Sequence, residues 1–345
     1  MAAVKTAVVL FNLGGPDRPE AIQPFLKNLF SDPAIIGLPW PLRPLLAELI
    51  SRRREKEARV IYGRIGGRSP LNEETAAQAR KLEAGLGDDH RVFVAMRYWH
   101  PLVEDMVHEV AAWKPDRIVL LPLYPQFSTT TTGSSFGEWR RCAARAGITA
   151  PTTALCCYPV EDGLIAGHAD LIEKALADAG DKPVRVLFSA HGLPEKIVKA
   201  GDPYQWQVEQ TAAAVVARLG RPELDWQVCY QSRVGPLQWI GPSTDDAIRK
   251  TGADGKGAVV VPIAFVSEHS ETLVELDLEY GELAHKAGCS PYIRVPALGT
   301  GERFIAGLIG QVERLTAPGA PALASPDGGR FCPVSWGKCP CAAGL

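Results

Sequence analysis

The run Ala258-Val-Val-Val-Pro-Ile-Ala264, leading straight into Phe265-Val-Ser-Glu-His-Ser-Glu-Thr-Leu-Val-Glu-Leu-Asp-Leu-Glu279-Tyr280, decides how this chain folds. The first seven residues are apolar without alternation, the mark of a parallel strand buried on both faces. The second part has helical periodicity, and Ser267 is placed to cap it. Glu271, Glu275 and Glu279 fall at i, i+4 and i+8, so a helix stacks them on one face while Leu273, Leu276 and Leu278 supply apolar positions. Like charges at that spacing repel by roughly 0.2 to 0.5 kcal/mol per pair, and no Lys or Arg lies between Phe265 and Tyr280. A cation from elsewhere in the fold would relieve them. The plain alternative is a solvated acidic face. Position argues for more, because the ladder begins where a buried strand ends, the edge at which open α/β sheets bind ligands.

The same alternation runs outward in both directions. Strand patterns at Val4–Leu13, Arg91–Met96, Arg117–Tyr124 and Thr152–Tyr158 alternate with helical ones, and the pattern restarts with strands at Pro183–Ser189, Trp226–Gln231, Ala258–Ala264 and Pro291–Val295. Such alternation predicts α/β architecture: two Rossmann-like parallel-sheet domains with a cleft between them. We place the first over residues 1–160, the second over 161–315, and a flexible linker with a cysteine-rich tail over 316–345. Gly14-Gly15-Pro16 turns the first strand into a helix but lacks the third glycine of a dinucleotide fingerprint.

The 345 residues carry a formal net charge of -2, with 46% hydrophobic and 22% charged residues, a soluble globular composition that does not call for nucleic acid as partner. No stretch approaches the ~18 apolar residues of a membrane span, and the apolar start reads as a strand rather than a signal peptide, so a cytoplasmic location is expected. Residues 38–54 differ from the rest. Leu38 to Ile50 is apolar, interrupted by prolines and Trp40, and runs into Arg52, Arg53 and Arg54, which fits a lip resting on an anionic membrane surface. The alternative is a loop and helix packed on the core.

His191 leaves the strand that ends at Ser189, and His269 stands just before the ladder. Two imidazoles and three carboxylates therefore converge at one sheet edge, a set suited to a first-row divalent metal and to proton exchange near neutral pH. Of eight cysteines, Cys332, Cys339 and Cys341 crowd the end of the chain. Four thiolates are the usual set for an iron–sulfur cluster; zinc or idle thiols are the alternatives. Cys142, Cys229 and Cys289 read as core or surface residues.

Taken together, Leu187-Phe-Ser-Ala-His-Gly-Leu-Pro194, Gly201-Asp-Pro-Tyr204, Gln231-Ser-Arg-Val-Gly-Pro236, Trp239-Ile-Gly-Pro242 and the stretch from Val261 to Asp277 resemble ferrochelatases. Asn12-Leu-Gly-Gly-Pro16, Tyr62-Gly-Arg-Ile-Gly-Gly-Arg-Ser-Pro70, Arg97-Tyr-Trp-His-Pro101 and the hydroxyl-rich run Tyr124 to Ser135 match as well, so the resemblance spans about residues 4–315. It implies a type II chelatase fold and insertion of Fe2+ into protoporphyrin IX at the end of haem synthesis. It further implies His191 and Glu271 as catalytic groups, with Glu275, Glu279 and His269 completing the metal-handling set. Tyr62, Trp239 and Phe265 would be slot aromatics, and Arg54 and Ser69 propionate anchors. A peripheral position at the inner membrane face and a homodimer are within the same expectation. Some members hold a [2Fe-2S] cluster on three tail cysteines and one from the body. Here Thr129 stands where the animal enzymes have that cysteine, so Cys156 or Cys157 is left to complete a set with Cys332, Cys339 and Cys341. Two competing readings are a chelatase for coproporphyrin III or cobalt, and a porphyrin or haem carrier.

Overall fold

The computed structural model describes residues 4–233, 237–326 and 328–342. Val234 to Pro236, part of the motif beginning at Gln231, lie outside the described residues. Among the described residues nine strands form two parallel sheets. β1 (Thr6–Asn12), β2 (His90–Met96), β3 (Arg117–Pro122) and β4 (Thr152–Leu155) belong to the first, and β5 (Val184–His191), β6 (Trp226–Gln231), β7 (Gly257–Pro262) and β8 (Tyr292–Arg294) to the second. The short β9 (Leu323–Ala324) returns to the first sheet, giving the orders β2-β1-β3-β4-β9 and β6-β5-β7-β8. All seven residues of β1 and all six of β7 are buried. These central strands have helices on both faces, which is why they read as continuous apolar runs.

Both sheets reverse their strand order beside the first strand of the unit, between β1 and β3 and between β5 and β7. The crevice beyond the strand ends at such a switch point is where open α/β sheets hold ligands. His191 is the last residue of β5, one step earlier than a purely exit-turn position, and β7 delivers Phe265 and the glutamate ladder. Asn12, Leu13, Leu123 and Gln126 come from the corresponding ends of β1 and β3.

Three local features differ from the sequence expectation. The helix Leu42–Gly63 is unbroken for 22 residues. Pro39 and Pro41 precede it and Pro44 sits in its first turn, where the backbone N–H has no helical partner to lose. Beyond them, ion pairs Arg52–Glu48 and Arg59–Glu55 at i,i+4 carry it onward, so Tyr62 lies on this helix, ahead of Gly66 and Gly67. Ser267 caps nothing; its hydroxyl donates to Gln78 Oε1 at 3.0 Å, and the helix begins only at Glu271. Finally, the segment expected as a flexible linker contains β9, whose Leu323 and Ala324 pair with Ala154 and Leu155.

The helix Glu302–Thr316, assigned above to the second unit, buries Phe304, Leu308, Val312 and Leu315 in one cluster with Val8, Leu10, Val119 and Leu121 of the first sheet. Each such side chain contributes roughly 1.5 to 3 kcal/mol when fully buried. The chain thus crosses back before the tail, so packing does not follow a cut at residue 315.

Candidate functional site

A cavity of about 1070 Å³ lies between the two sheets, at the upper end of the usual range for small-molecule sites. Leu26, Leu29, Phe30, Ile50, Ala58, Ile61 and Tyr62 form one wall, and Leu193, Pro194, Ile197, Trp239, Ala264 and Phe265 the other. It is a mainly apolar slot. Arg54 and Arg233 are its lining guanidinium groups among the described residues. Burial pushes the Tyr62 phenol up to about 12, so it stays neutral and donates or accepts as a hydroxyl.

At the floor, His191 Nδ1 lies 2.9 Å from Glu271 Oε2. The imidazole opens toward the cavity, with 40% of its side chain exposed to it. Burial pushes the His191 proton affinity down, but the charge and hydrogen bond of Glu271, with Glu275 behind it, outweigh that and leave it above its ordinary value. Burial likewise acts to raise Glu271, but His191, then His269 and Ser232, hold its carboxyl at about 2. Each group thus favours the charged form of the other. One step along, burial and the neighbouring Glu271 charge lift Glu275 to about 7, despite hydrogen bonds from Ser232 Oγ at 2.6 Å and Gln231 Nε2 at 3.1 Å. At the outer end Glu279 meets Arg64 Nη1 at 3.4 Å. The repulsion foreseen along the ladder is met at each rung by a different partner: the His191 imidazole at Glu271, the Ser232 and Gln231 donors at Glu275 and the Arg64 guanidinium at Glu279.

The ladder does not sit on an α-helix. Glu271–Glu279 is a π-helix, whose wider turn is rare and recurs at functional sites. Arg294 braces it from behind, reaching Asp277 with two bonds of 2.7 Å and Glu268 at 2.5 Å. His269 also lines the cavity; its Nδ1 accepts the Glu271 backbone N–H at 3.0 Å and its ring stacks edge-on to Phe265 at 4.5 Å. Burial lowers its proton affinity, so it stays a neutral acceptor. Ser69 does not line the slot: its hydroxyl accepts from Leu71 N and its side chain packs against Gly15. Ser232 was not foreseen. It adopts φ 59°, a left-handed conformation costly for serine, and from there its hydroxyl spans Glu271 and Glu275. Only the motif beginning at Gln231 hinted at it.

On the far side of the first sheet's edge, Cys156, Cys157, Cys332 and Cys339 are buried, with Cys341 beside them. Cys339 interacts directly with Cys156, Cys332 and Cys341, whose thiols donate to its sulfur and hold it far below the usual thiol range. Cys156 also meets Cys341 and Cys157. Cys142, Cys229 and Cys289 are separate and belong to the cores. Among the described residues no three His, Cys, Asp or Glu side chains surround one point as a single bound metal ion needs.

The architecture is that of the chelatases. SirB from Bacillus subtilis with Fe3+ superposes with a TM-score of 0.57 over 91% of this chain and 96% of that one, at 13% identity. The sirohydrochlorin chelatase SirB of Bacillus subtilis subspecies spizizenii in complex with cobalt gives 0.54 over 90% and 95%, at 11% identity. The ferrochelatase family model matches residues 5–315, and the chain belongs to the ferrochelatase family. It is 57% identical to the ferrochelatase of Caulobacter vibrioides over 99% of this chain and 98% of the relative, and 55% identical to that of Phenylobacterium zucineum over 99% of both.

Proposed function

We propose that the protein inserts Fe2+ into protoporphyrin IX, forming protohaem and releasing two protons. The observation that carries this reading is the His191–Glu271 pair lining a large, mainly apolar slot. A free-base porphyrin presents two N–H groups in its plane, and each must leave as iron enters. The slot walls hold the ring, and His191 faces its centre. Fe2+ approaching the imidazolium lowers its proton affinity, because a double charge a few ångströms away is worth several kcal/mol at an effective dielectric near ~20. The imidazole then sheds its proton toward Glu275, which titrates near neutral pH, and is free to accept one from a pyrrole nitrogen. Glu279 carries the same route to the surface. Arg54 and Arg233 match the two propionates of protoporphyrin; coproporphyrin III brings four. The test compares kcat/KM for the two porphyrins under anaerobic conditions. Preference for protoporphyrin IX supports the reading, preference for coproporphyrin III replaces the substrate, and binding without turnover of either leaves a carrier.

We also infer that Cys156, Cys332, Cys339 and Cys341 hold a [2Fe-2S] cluster. Each iron of such a cluster takes two protein thiolates, so its ligands come as two pairs and need not surround one point. Cys339 reaches the other three sulfurs and Cys156 also reaches Cys341, a grouping that fits that demand. When bound, the cluster supplies a one-electron redox centre. Thr129 takes no part, as its hydroxyl donates to Asp202 at 2.7 Å. Cys156→Ser is expected to abolish the visible absorption and acid-labile sulfide of the purified protein, while Cys157→Ser retains them; the reverse pattern would assign the fourth ligand to Cys157.

The apolar lip belongs, in this reading, on a membrane surface. Trp40, Leu42, Leu45 and Leu49 are 77%, 56%, 70% and 66% exposed, a patch no other part of the chain covers among the described residues. No described helix is long and apolar enough to cross a membrane. Co-sedimentation with anionic vesicles is expected and should fall sharply in Trp40→Asp; self-association that vesicles do not compete for would point to a homodimer instead.

A further inference from the structure

Gln207, in the helix Tyr204–Leu219, is completely buried, and both ends of its side-chain amide are used. Its Nε2 donates to Cys332 Sγ at 3.0 Å and to Cys157 Sγ at 3.4 Å. Its Oε1 accepts the backbone N–H of Phe127 at 2.7 Å. Phe127 stands between Gln126 and Ser128, which line the porphyrin slot, and packs against Cys156 and Cys157. One planar group thus bonds sulfur with its nitrogen and the slot loop with its oxygen. An amide cannot turn to suit one partner without disturbing the other.

The neighbouring turn repeats the connection. Lys338 N, between Cys332 and Cys339, donates to Gly201 O at 3.1 Å. The adjoining Asp202, also buried, accepts from Ser128 Oγ at 3.0 Å and from Thr129 N and Oγ1, both at 2.7 Å. Gly201 is at φ 100° and a Cβ there would stand 3.1 Å from Gly337 N, so the tail can lie this close only on glycine. The cysteine loop and the slot loop are therefore seated on the same turn, the one that leads into the helix Tyr204–Leu219.

We propose that Gln207 is a positioning residue that couples the occupancy of the cysteine centre to the shape of the porphyrin slot. This rests on the cluster reading above. When the sulfurs are ligated and fixed, the amide is fixed and holds the backbone of residues 126–128 against the ring. When the cluster is lost, the sulfurs move and the amide reorients. The Phe127 N–H then loses its partner, and the loop shifts away from the slot. Buried donors are costly to leave unpaired, which makes the two arrangements discrete.

The test reads protoporphyrin IX affinity by anaerobic fluorescence quenching, in full-length protein with the cluster present and after its removal by chelation. Wild type is expected to bind more weakly after removal by about fivefold or more, the low end of coupling between linked sites. In Gln207→Leu the two forms should differ by less than about twofold. Gln207→Glu, which keeps an acceptor for Phe127 but loses the donor to sulfur, should likewise uncouple them and covers the case in which the leucine variant does not fold. Equal affinity of the two wild-type forms, or an equal shift in wild type and both variants, overturns the coupling. A purified protein with neither visible absorption nor acid-labile sulfide overturns the cluster reading itself, and this inference with it.

Discussion

His191→Ala is expected to slow Fe2+ insertion by about 10³-fold, within the span that a positioned acid–base group contributes, while leaving protoporphyrin bound. The imidazole is the basic side chain at the slot floor that pairs with the Glu271 carboxylate, whereas His269 spends its Nδ1 on the Glu271 backbone. Truncation also leaves Glu271 buried without its cation, so its carboxyl should rise and take up a proton. Alanine opens space next to the ring but removes none of the aromatic walls. Rates measured anaerobically, alongside porphyrin affinity by fluorescence quenching, separate the two effects. A variant that binds porphyrin normally and still inserts iron at near wild-type rate would remove His191 from the mechanism.

Glu271→Gln should lower the rate by about 10²-fold and move its pH dependence. In the wild type Glu271 keeps His191 above its ordinary value of 6.5, so the free enzyme acquires a neutral imidazole only as pH rises past that value. The acid limb of kcat/KM therefore lies above pH 6.5. Glutamine keeps a hydrogen-bonding partner of the same shape and removes the charge, leaving burial as the main influence, and burial lowers an imidazole. The limb should then fall below 6.5. A limb that stays in place would assign it to another group, with Glu275 first in line.

Much of this was readable from the chain. Buried parallel strands announce themselves as unbroken apolar runs, and β1 and β7 were plain for that reason. The ladder was legible because i, i+4, i+8 spacing keeps side chains on one side whether the turn holds 3.6 residues or somewhat more. The π-helix itself was missed because the apolar positions were read at the α period, and the three glutamates share one side under either turn. Helix Leu42–Gly63 was underestimated because its prolines were weighed as breakers, although they sit at or before its first turn. Ser232 was hidden by a backbone conformation that a serine does not advertise. Cys156 and the tail cysteines lie far apart in sequence, and what joins them is β9, a two-residue pairing in a stretch rich in alanine, proline and glycine. Ser69 lies outside the cavity lining, and its hydroxyl accepts the Leu71 N–H in the turn that starts the next helix, a local role its motif did not announce.

The central claim is that this slot exchanges two pyrrole protons for one Fe2+ through His191. Anaerobic rapid mixing of the protoporphyrin-loaded protein with Fe2+, in a lightly buffered solution with a pH indicator, tests it most directly. The account predicts that the free-base spectrum gives way to that of protohaem with two protons released for each haem formed, faster as pH rises through the His191 limb. Porphyrin that remains bound and unmetallated, with no proton release, would contradict it.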